Sequence, residues 1–578
     1  MNKSEPANAT RLIIFLLVCM AMQGATPTTA IKVDQVGYLP AGPKFAMVVL
    51  TGQQTSTAMR FSLRRAKDDS VVFQGPLGVA ALDRDTGDQV QTADFSKVKE
   101  SGTFYLDVLD IGRSWDFRIA DDVFARTYYL AARSYYGQRC GTAVDLGPEF
   151  RGYRHGVCHT DGAYDPSSGK QGQHVSSHGW HDAGDYGRYV VNSGISTGTL
   201  LWTFDLFRQG VQKISLRLPE SGHGVPDLLS EARWNIDWML TMQDGDGGVW
   251  HKQTSSHFCG FIMPEADKLT SLVIGAGRSP FKTSCATADF AAVTSIAARV
   301  FSPFDPAYAK KCLAASQSAW NWLKQNPDVT FRNPPGISTG DYGDAHCDDE
   351  RLWAAAELLR ATGEAQYESY FLAHYRDYLS TIRSDNPPSW PMIAPLALWT
   401  YVLGGGKNAA AVNDIRQRST AAADAIVERA ASHPYRITMT AKNYIWGSNG
   451  VAANYSMQLL IADKLQSNSR YRDAAVENLH YLLGRNTFSL SWVTQTGSNA
   501  VQHIHHRLSA ADEIATPWPG LLAGGPNPGR QDSVMQKLVP ADTLPGKAYI
   551  DVEAAYACNE VAINWNAPLV FSLAAVLP

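Results

Sequence analysis

One change of periodicity, near residue 122, constrains the fold of this chain more than any other feature. Residues 31–122 alternate apolar and polar positions in short runs separated by turns rich in Gly, Pro and Asp. That pattern predicts a small antiparallel β-sandwich of about 90 residues. From residue 123 onward the apolar spacing becomes helical and almost no strand pattern remains. The sequence therefore predicts an all-β domain over 31–122 and a large all-α domain over 123–578.

The helical part is long and regular. Leu228, Ala232, Ile236 and Met239 fall on one helix face, and Pro226 precedes that helix where proline is well tolerated. About a dozen such stretches indicate either a closed ring of helix pairs or an open solenoid. The ring is favoured, because no repeat of about 34 or 40 residues is visible.

The N-terminus has the features of an export signal. Lys3 and Arg11 precede an apolar run over 12–22, and small residues around Ala30 offer a cleavage site. We therefore expect residues 1–30 to be a signal peptide and the mature protein to be secreted or periplasmic. The alternative is a retained N-terminal anchor. No later stretch approaches about 20 continuous apolar residues, so no membrane association is expected after cleavage.

The charge balance excludes some partners. The formal net charge is only -4, and 18% of residues are charged. Neither nucleic acid nor an anionic membrane is therefore expected as the main partner. The chain also has 15 Trp and 24 Tyr, which suit flat apolar ligands or, alternatively, ordinary core filling.

The cysteines point to a metal more than to a disulfide framework. Of eight cysteines, seven remain without Cys19, and an odd number spread over a long chain argues against dense cross-linking. Cys140 and Cys158 frame a loop that ends in Cys158-His159, with further histidines at 174, 178 and 181. Two thiolates and two imidazoles form a tetrahedral zinc site. A Cys140–Cys158 disulfide is the alternative, and it is chemically natural outside the cell.

Three segments between helices carry reactive side chains. Asp182 and Asp185 lie three positions apart in HGWHDAGDYGRYV (178–190), HIHHR spans 503–507, and Glu560 precedes the last helix. Glycoside hydrolysis needs one carboxylic acid to protonate the leaving oxygen and another carboxylate to attack or to activate water. Helix capping, calcium binding and compensation of a helix dipole are the alternative roles for these acids.

Collinear segments across residues 125–578 resemble glycoside hydrolase family 9, the inverting endoglucanases. Residues 31–122, with VDQVGYLP and TADFSKVKESGTFYLDV, are similar to the immunoglobulin-like module that precedes this catalytic domain in one subgroup. The matching catalytic segments are GWHDAGDYGRYVVNSG (179–194), VPDLLSEARWNIDWML (225–240), GGVWHK (247–252), ATADFAAV (286–293), TGDYGD (339–344), DDERLWAAAEL (348–358), WGSNG (446–450), HYLLGRN (480–486), HHR (505–507), PGLLAGGPN (519–527) and NEVAINWNAPLVF (559–571).

The resemblance implies a fold and specific catalytic roles. It implies an (α/α)6 barrel behind an immunoglobulin-like sandwich, with Asp185 as catalytic base, Asp182 helping to position the water and Glu560 as general acid. An inverting mechanism requires the two carboxyl groups to be roughly 6.5 to 9.5 Å apart. The side chains implied to contact sugar are His505, Arg507, His251, Tyr556 and Trp250.

The resemblance also implies two structural metals and no organic cofactor. The zinc ligands would be Cys140, Cys158, His159 and His181, with His174 and His178 as possible replacements for the fourth ligand. The calcium ligands would be Asp341, Asp344, Asp349 and Glu350, which supply hard oxygens. The alternative for these four acids is a helix N-terminus rich in acidic residues.

The expected function is therefore inverting endo-β-1,4-glucan hydrolysis, with a β-1,4-glucan as partner and a monomeric enzyme. An exo-acting relative is the alternative among enzymes, and a non-catalytic glucan-binding protein is the alternative from another class. Residues 493–497 read VTQTG where the family has VTGFG, and Ile504 replaces a frequent proline, so subsite preference can differ. Because the chain ends at Pro578 directly after the last helix, soluble or amorphous glucan is expected as substrate.

Overall fold

A computed structural model describes residues 26–50 and 59–578. Most of the expected signal peptide, residues 1–25, lies outside the described residues. Residues 28–30 are bonded to the folded protein: the Thr28 N–H donates to the Arg113 carbonyl, and the Ala30 carbonyl accepts from the Val49 N–H at 2.8 Å. The Thr29 carbonyl accepts from the Ser489 hydroxyl. A cleavage after Ala30 would remove all three bonds.

The N-terminal part is a sandwich of two β-sheets. One sheet has the strand order β1-β3-β7-β6, and the other has β2-β10-β8-β4-β5 with β9 paired to β8. The strands are β1 (Ile31–Lys32), β2 (Gly37–Tyr38), β3 (Phe45–Val49), β4 (Arg60–Arg65), β5 (Val71–Pro76), β6 (Ala81–Leu82), β7 (Gln89–Asp94), β8 (Gly102–Val108), β9 (Gly112–Arg113) and β10 (Phe117–Ile119).

The alternation of apolar and polar residues in β4 determines which face of the strand is buried. Phe61 and Leu63 are buried while Ser62 between them is partly exposed, because successive side chains of a strand point to opposite faces. Leu63 pairs with Leu106 of β8, which is also buried, so the two strands bury the same face.

The rest of the chain is mainly helical. Its α-helices are α1 (Ala125–Gly137), α2 (Val190–Val211), α3 (Asp227–Thr241), α4 (Ser284–Phe301), α5 (Pro306–Gln325), α6 (Asp348–Thr362), α7 (Ala365–Tyr378), α8 (Ala394–Leu403), α9 (Ala409–Ser432), α10 (Ser448–Leu465), α11 (Ser469–Leu482), α12 (Arg507–Ala511), α13 (Ser533–Leu538), α14 (Tyr556–Asn559) and α15 (Ile563–Ala574).

Six of these helices contact one another in a closed order, α2-α4-α6-α8-α10-α15 and back to α2. The other helices of more than ten residues pack outside them: α3 on α2, α5 on α4, α7 on α6, α9 on α8 and α10, α11 on α10, and α1 on α15. The sequence explains the two layers. Helix α4 is buried on nearly every face, whereas α5 is buried on one face only, as expected for an inner and an outer helix.

A small five-stranded sheet lies among the connections of the helical part, which the sequence pattern did not predict. Its order is β14-β13-β17-β16-β15. Strands of two to four residues are too short to show an alternating pattern, which is why they were missed. They are β13 (Asp161–Tyr164), β14 (Gln173–Val175), β15 (Arg188–Tyr189), β16 (Lys252–Thr254) and β17 (Ser271–Ile274), after a separate pair formed by β11 (Val144–Asp145) and β12 (Arg154–His155).

The sandwich and the helical part share a polar, buried interface. Asp34 contacts the Nδ1 atom of His480 at 2.7 Å, and the Gln35 N–H donates to the Leu483 carbonyl. Met47 and Val90 of the sandwich pack into the large helical core. The interface therefore combines hydrogen bonds with apolar burial.

One disulfide joins Cys285, at the start of α4, to Cys347, directly before α6. The partners are 62 residues apart, so no local spacing identified them. Among the described residues the other cysteines, including Cys140 and Cys158, are free thiols. No helix in the described part of the chain is long and apolar enough to cross a membrane.

Candidate active site

The loop that carries Asp182 and Asp185 is closed by tight backbone contacts. The Asp182 N–H donates to the Gly187 carbonyl, and the Arg507 N–H donates to the Gly184 carbonyl. A Cβ atom at Gly184 would lie 2.3 Å from the His505 carbonyl oxygen, so only glycine fits there. The fold therefore holds the two aspartates against residues more than 300 positions later in the chain.

Asp185 is held by two donors on one oxygen. Its Oδ2 accepts hydrogen bonds from the Tyr189 hydroxyl and from the Gly187 N–H, both at 3.0 Å. Its Oδ1 has no protein donor within the residues that the structure describes, and the side chain lines a pocket with Arg507. Asp185 is thus oriented through one oxygen and has the other available.

Asp182 is fully buried and receives two donors of its own. Its Oδ1 accepts from the Asn192 amide and its Oδ2 from the Tyr342 hydroxyl, both at 2.7 Å. Burial, and then the charge of Asp185, raise the pKa of Asp182 to about 8, although both hydrogen bonds act to lower it.

Glu560 directly follows the short helix α14. It is far from the two aspartates in the sequence but close to them in space. The indole N–H of Trp446 donates to its Oε2 at 3.0 Å. Burial, and then the charges of Asp185 and Asp182, raise the pKa of Glu560 to about 8. A carboxyl group that keeps its proton near neutral pH is suited to act as a general acid.

His505 and Arg507 flank the carboxyl groups. The Nδ1 atom of His505 contacts the Glu553 carbonyl at 2.9 Å, and burial lowers the pKa of this histidine. The guanidinium of Arg507 donates to the Cys259 and Gly184 carbonyls. These bonds fix both side chains while leaving His505 Nε2 and Arg507 Nη2 without a protein acceptor in the described ranges.

The structure corrects two of the expected sugar contacts. Trp250 is only 2% exposed, and its indole N–H donates to the Ser168 carbonyl. His251 is only 1% exposed, stacks on Phe331 with ring centroids 3.7 Å apart and contacts the Asp341 carbonyl through Nε2. Both residues are therefore buried, and neither presents a free polar group to a sugar.

Aromatic residues that the sequence reasoning missed lie around the acids. Trp446 is 38% exposed and its ring centroid is 5.3 Å from that of Tyr556, the predicted contact next to Glu560. Tyr342 and Tyr189 donate to Asp182 and Asp185. Trp446 and Tyr342 lie within the recognised segments WGSNG and TGDYGD, but neither spacing nor composition indicated their partners.

Cys140, Cys158, His159 and His181 form one group whose potential ligand atoms all lie within 4.8 Å of one another. Cys140 Sγ is 3.8 Å from His159 Nδ1, and Cys158 Sγ is 3.7 Å from His181 Nε2. With metal–ligand distances of about 2.0 to 2.3 Å, a tetrahedral zinc site has ligand separations close to these. The residues therefore fit a four-coordinate metal.

The surroundings of this group also suit a metal. His159 Nε2 contacts the Asp267 carboxylate at 3.2 Å, the outer contact that orients many metal-binding histidines. The two possible replacements are used elsewhere, because His174 contacts the Thr241 carbonyl and His178 the Ser177 hydroxyl.

A second group consists of buried acids, and it differs by one residue from the expected calcium ligands. Asp289, Asp344 and Glu350 have buried carboxylate oxygens without a hydrogen-bond partner. Burial, and then neighbouring acids that include Asp349, raise the pKa of both Asp289 and Glu350. Unpartnered buried carboxylates of this kind fit a divalent cation with oxygen ligands.

Asp341 lies outside that acid group. Its Oδ1 accepts from the Asn333 N–H at 2.8 Å, and its Oδ2 contacts Arg332. Asp289 of α4 takes its place among the acids. Asp289 was missed because it lies in a different segment, ATADFAAV, more than 50 positions before the others.

A third group, Asp83, Asp85 and His433, joins the sandwich to the helical part but does not suit a metal. The Nδ1 atom of His433 accepts the Tyr435 N–H. The proton of the neutral ring must then be on Nε2, which lies 3.6 Å from Asp83 Oδ1 and 3.9 Å from Asp85 Oδ2. A nitrogen that carries a proton cannot bind a metal.

Comparisons with known proteins identify the family of this chain. The model of glycosyl hydrolase family 9 matches residues 124–573, and that of the cellulase N-terminal ig-like domain matches 26–113. Endoglucanase D of Acetivibrio thermocellus is 37% identical over 549 residues, covering 94% of this chain and 83% of the relative. Xyloglucan-specific endo-beta-1,4-glucanase BoGH9A of Bacteroides ovatus is 33% identical, covering 96% and 94%.

A solved structure gives the same result. The crystal structure of a Zn-binding triple mutant of the family 9 endoglucanase J30 superposes with a TM-score of 0.86 at 35% identity. The match covers 93% of this chain and 99% of the J30 chain.

Proposed function

The chain belongs to glycosyl hydrolase family 9, and from this membership we propose that it is an inverting endo-β-1,4-glucanase in which Asp185 is the base and Glu560 the acid. The main support for this assignment is the difference between the two carboxyl groups. Asp185 is oriented by two hydrogen-bond donors, whereas the pKa of Glu560 is raised to about 8. One group is thus set to accept a proton and the other to donate one.

In the proposed reaction, Asp185 takes a proton from a water molecule through its free Oδ1 as that water attacks the anomeric carbon. Asp182, held by Asn192 and Tyr342, orients the water. Glu560 donates its proton to the glycosidic oxygen as the bond breaks. Both carboxyl groups act in a single displacement, which inverts the anomeric configuration.

For the sugar contacts we propose His505, Arg507, Tyr556 and Trp446. Trp446 replaces Trp250 and His251, because it is exposed beside the acid while they are buried. An exposed indole face offers the flat apolar surface on which a pyranose ring can stack.

The relatives' printed activities favour internal cleavage of a β-1,4-glucan, plain or xylose-substituted. The closed order of six inner and six outer helices supports the (α/α)6 barrel. We further propose that the enzyme is exported and acts as a monomer. The bonds made by residues 28–30 favour a cleavage site upstream of Thr28.

We propose zinc for Cys140, Cys158, His159 and His181, and calcium for Asp289, Asp344, Asp349 and Glu350. Zinc prefers thiolate and imidazole ligands in a closed tetrahedral site, while calcium prefers carboxylate oxygens. Both sites would be structural. The proposed hydrolysis uses only side chains and water.

Two measurements test the reaction. Proton NMR of early cellopentaose hydrolysis should show the α-anomer first, and a β-anomer first would refute inversion. Viscosity of a mixed-linkage β-glucan should fall steeply at low conversion. If reducing ends accumulate while viscosity stays nearly constant, the enzyme is exo-acting.

A further inference from the structure

Lys252 is a completely buried lysine beside the catalytic centre. It lies on β16, paired with Tyr189 of β15, and is 0% exposed. Its ammonium group donates to Asn333 Oδ1 at 2.6 Å, to the Thr339 hydroxyl at 3.1 Å and to the Gly340 carbonyl at 2.7 Å. All of these acceptors belong to one segment, residues 333–340.

No salt bridge joins Lys252 to an acid in the part of the chain that the structure describes. The acids whose charges it senses are Asp341 and Asp185, and burial outweighs them and lowers the pKa of Lys252 to about 7. A buried ammonium without a paired carboxylate is costly, so proteins rarely keep one unless its position serves a purpose.

A chain of hydrogen bonds leads from Lys252 to the base. Lys252 donates to the Gly340 carbonyl, the Gly340 N–H donates to the Tyr189 hydroxyl at 3.2 Å, and that hydroxyl donates to Asp185 Oδ2 at 3.0 Å. Every donor in this series points towards Asp185. Lys252 also donates to the Thr339 carbonyl at 3.4 Å. That carbonyl shares its peptide group with the Gly340 N–H, so the ammonium group polarises the donor that faces Tyr189.

The same segment also controls the second aspartate. Two residues after Gly340, Tyr342 donates to Asp182. His251, next to Lys252 on the chain, holds the Asp341 carbonyl at 3.0 Å. The segment 333–342 is thus fastened by Lys252 and His251, and it contacts Asp182 directly and Asp185 through Tyr189.

We propose that Lys252 is a positioning residue that orients Asp185 through Gly340 and Tyr189, and that fixes the segment carrying Tyr342 to Asp182. This inference rests on the proposed role of Asp185 as base. Lys252 does not touch substrate. Its loss should therefore lower turnover far more than it changes substrate binding.

The test compares Lys252→Met with a matched control, Lys44→Met. Lys44 is also 0% exposed and donates only to carbonyl groups, those of Leu39, Pro40 and Gly42, but it lies in the sandwich. On cellopentaose we expect Lys252→Met to lower kcat about 30- to 300-fold with KM changed less than about threefold. Lys44→Met should leave kcat within about twofold while losing similar thermal stability.

A double-mutant cycle isolates the proposed path. Tyr189→Phe removes the last hydroxyl of the series, and adding it to Lys252→Met should lower kcat by much less than the product of the single effects. Thr339→Val, which removes the hydroxyl acceptor of Lys252, serves if Lys252→Met does not fold, and it should lower kcat about 3- to 10-fold at unchanged KM.

Three outcomes would overturn the proposal: kcat of Lys252→Met equal to that of the control, a loss confined to KM, or fully multiplicative effects in the cycle. An error in the proposed function can be told apart from an error in the role of Lys252. If Asp185 is not the base, Asp185→Asn would retain turnover. A wild-type-like Lys252→Met beside an inactive Asp185→Asn refutes only the role of Lys252.

Discussion

The helical domain contains two groups of buried acids that differ in how their oxygens are satisfied. In the catalytic group, Asp182 and Asp185 each receive two hydrogen-bond donors, and Glu560 receives one. In the second group, both carboxylate oxygens of Asp289 and of Glu350 have no partner among the described residues. Both groups contain buried carboxyl groups, but only in the catalytic group does every carboxyl group have a hydrogen-bond donor within the described part of the chain.

The difference shows what each group needs. Individual donors hold a carboxyl group in place and still allow it to gain or lose a proton. Several unpartnered carboxylates repel one another, and only a cation or protonation relieves that repulsion. The first group is therefore suited to proton transfer, and the second is suited to binding a cation.

The largest expected effect is on kcat, and it is tested by replacing one glutamate with glutamine in each group. Glu560→Gln should lower kcat by about 10³- to 10⁵-fold without changing thermal stability, because the proton donor is lost. Glu350→Gln should leave kcat of the folded enzyme within a few-fold but weaken calcium binding. Steady-state kinetics and calcium titration calorimetry measure both. Similar kinetic losses in the two variants would contradict the distinction.

Tyr342→Phe tests whether the donors matter to the catalytic group. We expect kcat to fall about 10- to 100-fold with little change in KM, because Asp182 loses one of its two orienting contacts. Tyr375→Phe is the control, since that hydroxyl also donates to an aspartate, Asp414, but on the outer helices. An equal loss in the control would show a general packing effect.

Calcium removal tests the second group through the pH dependence of stability. The pKa values of Asp289 and Glu350 are raised in the folded chain by burial and by neighbouring acids. The unfolded state then binds fewer protons above pH of about 4, so the metal-free protein should lose stability as pH rises. Thermal unfolding with a calcium chelator, from pH 4 to 8, should show this decline, and added calcium should reduce it to the part that Asp182 and Glu560 contribute. If the stability of the metal-free protein does not change with pH, the assignment of Asp289 and Glu350 as calcium ligands is wrong.

The smallest expected effect is a shift in the pH at which kcat/KM falls on the alkaline side. With a pKa of about 8, Glu560 should lose its proton and kcat/KM should fall above that pH. The Trp446 indole N–H lowers the pKa of Glu560, so Trp446→Phe should move the limb to higher pH by up to about one unit. A shift to lower pH would contradict this role of the indole.

The sequence predicted features with local or strongly repeated signals. Periodicity separated the β part from the helical part, and the motif around Asp182 and Asp185 identified acids that the structure brings close to Glu560. Cys140, Cys158, His159 and His181 were predicted together and form one group.

Other features depend on packing between distant segments. The burial of Trp250 and His251 follows from β16 lying inside a sheet of very short strands. Asp289 joins the other acids because α4 contacts α6, and the Cys285–Cys347 pair depends on the same contact. None of these has a signal in local spacing, because the determining contacts join segments that are far apart in the sequence.

The chain holds one cysteine pair oxidised and another reduced in the same folded protein. If the protein is exported as proposed, both pairs would meet the same oxidants. Cys140 and Cys158 lie close enough to share a metal, and a bound metal protects thiolates from oxidation. With the proposed zinc bound before exposure to oxidant, Cys140 and Cys158 would be kept from cross-linking while Cys285 and Cys347 are joined.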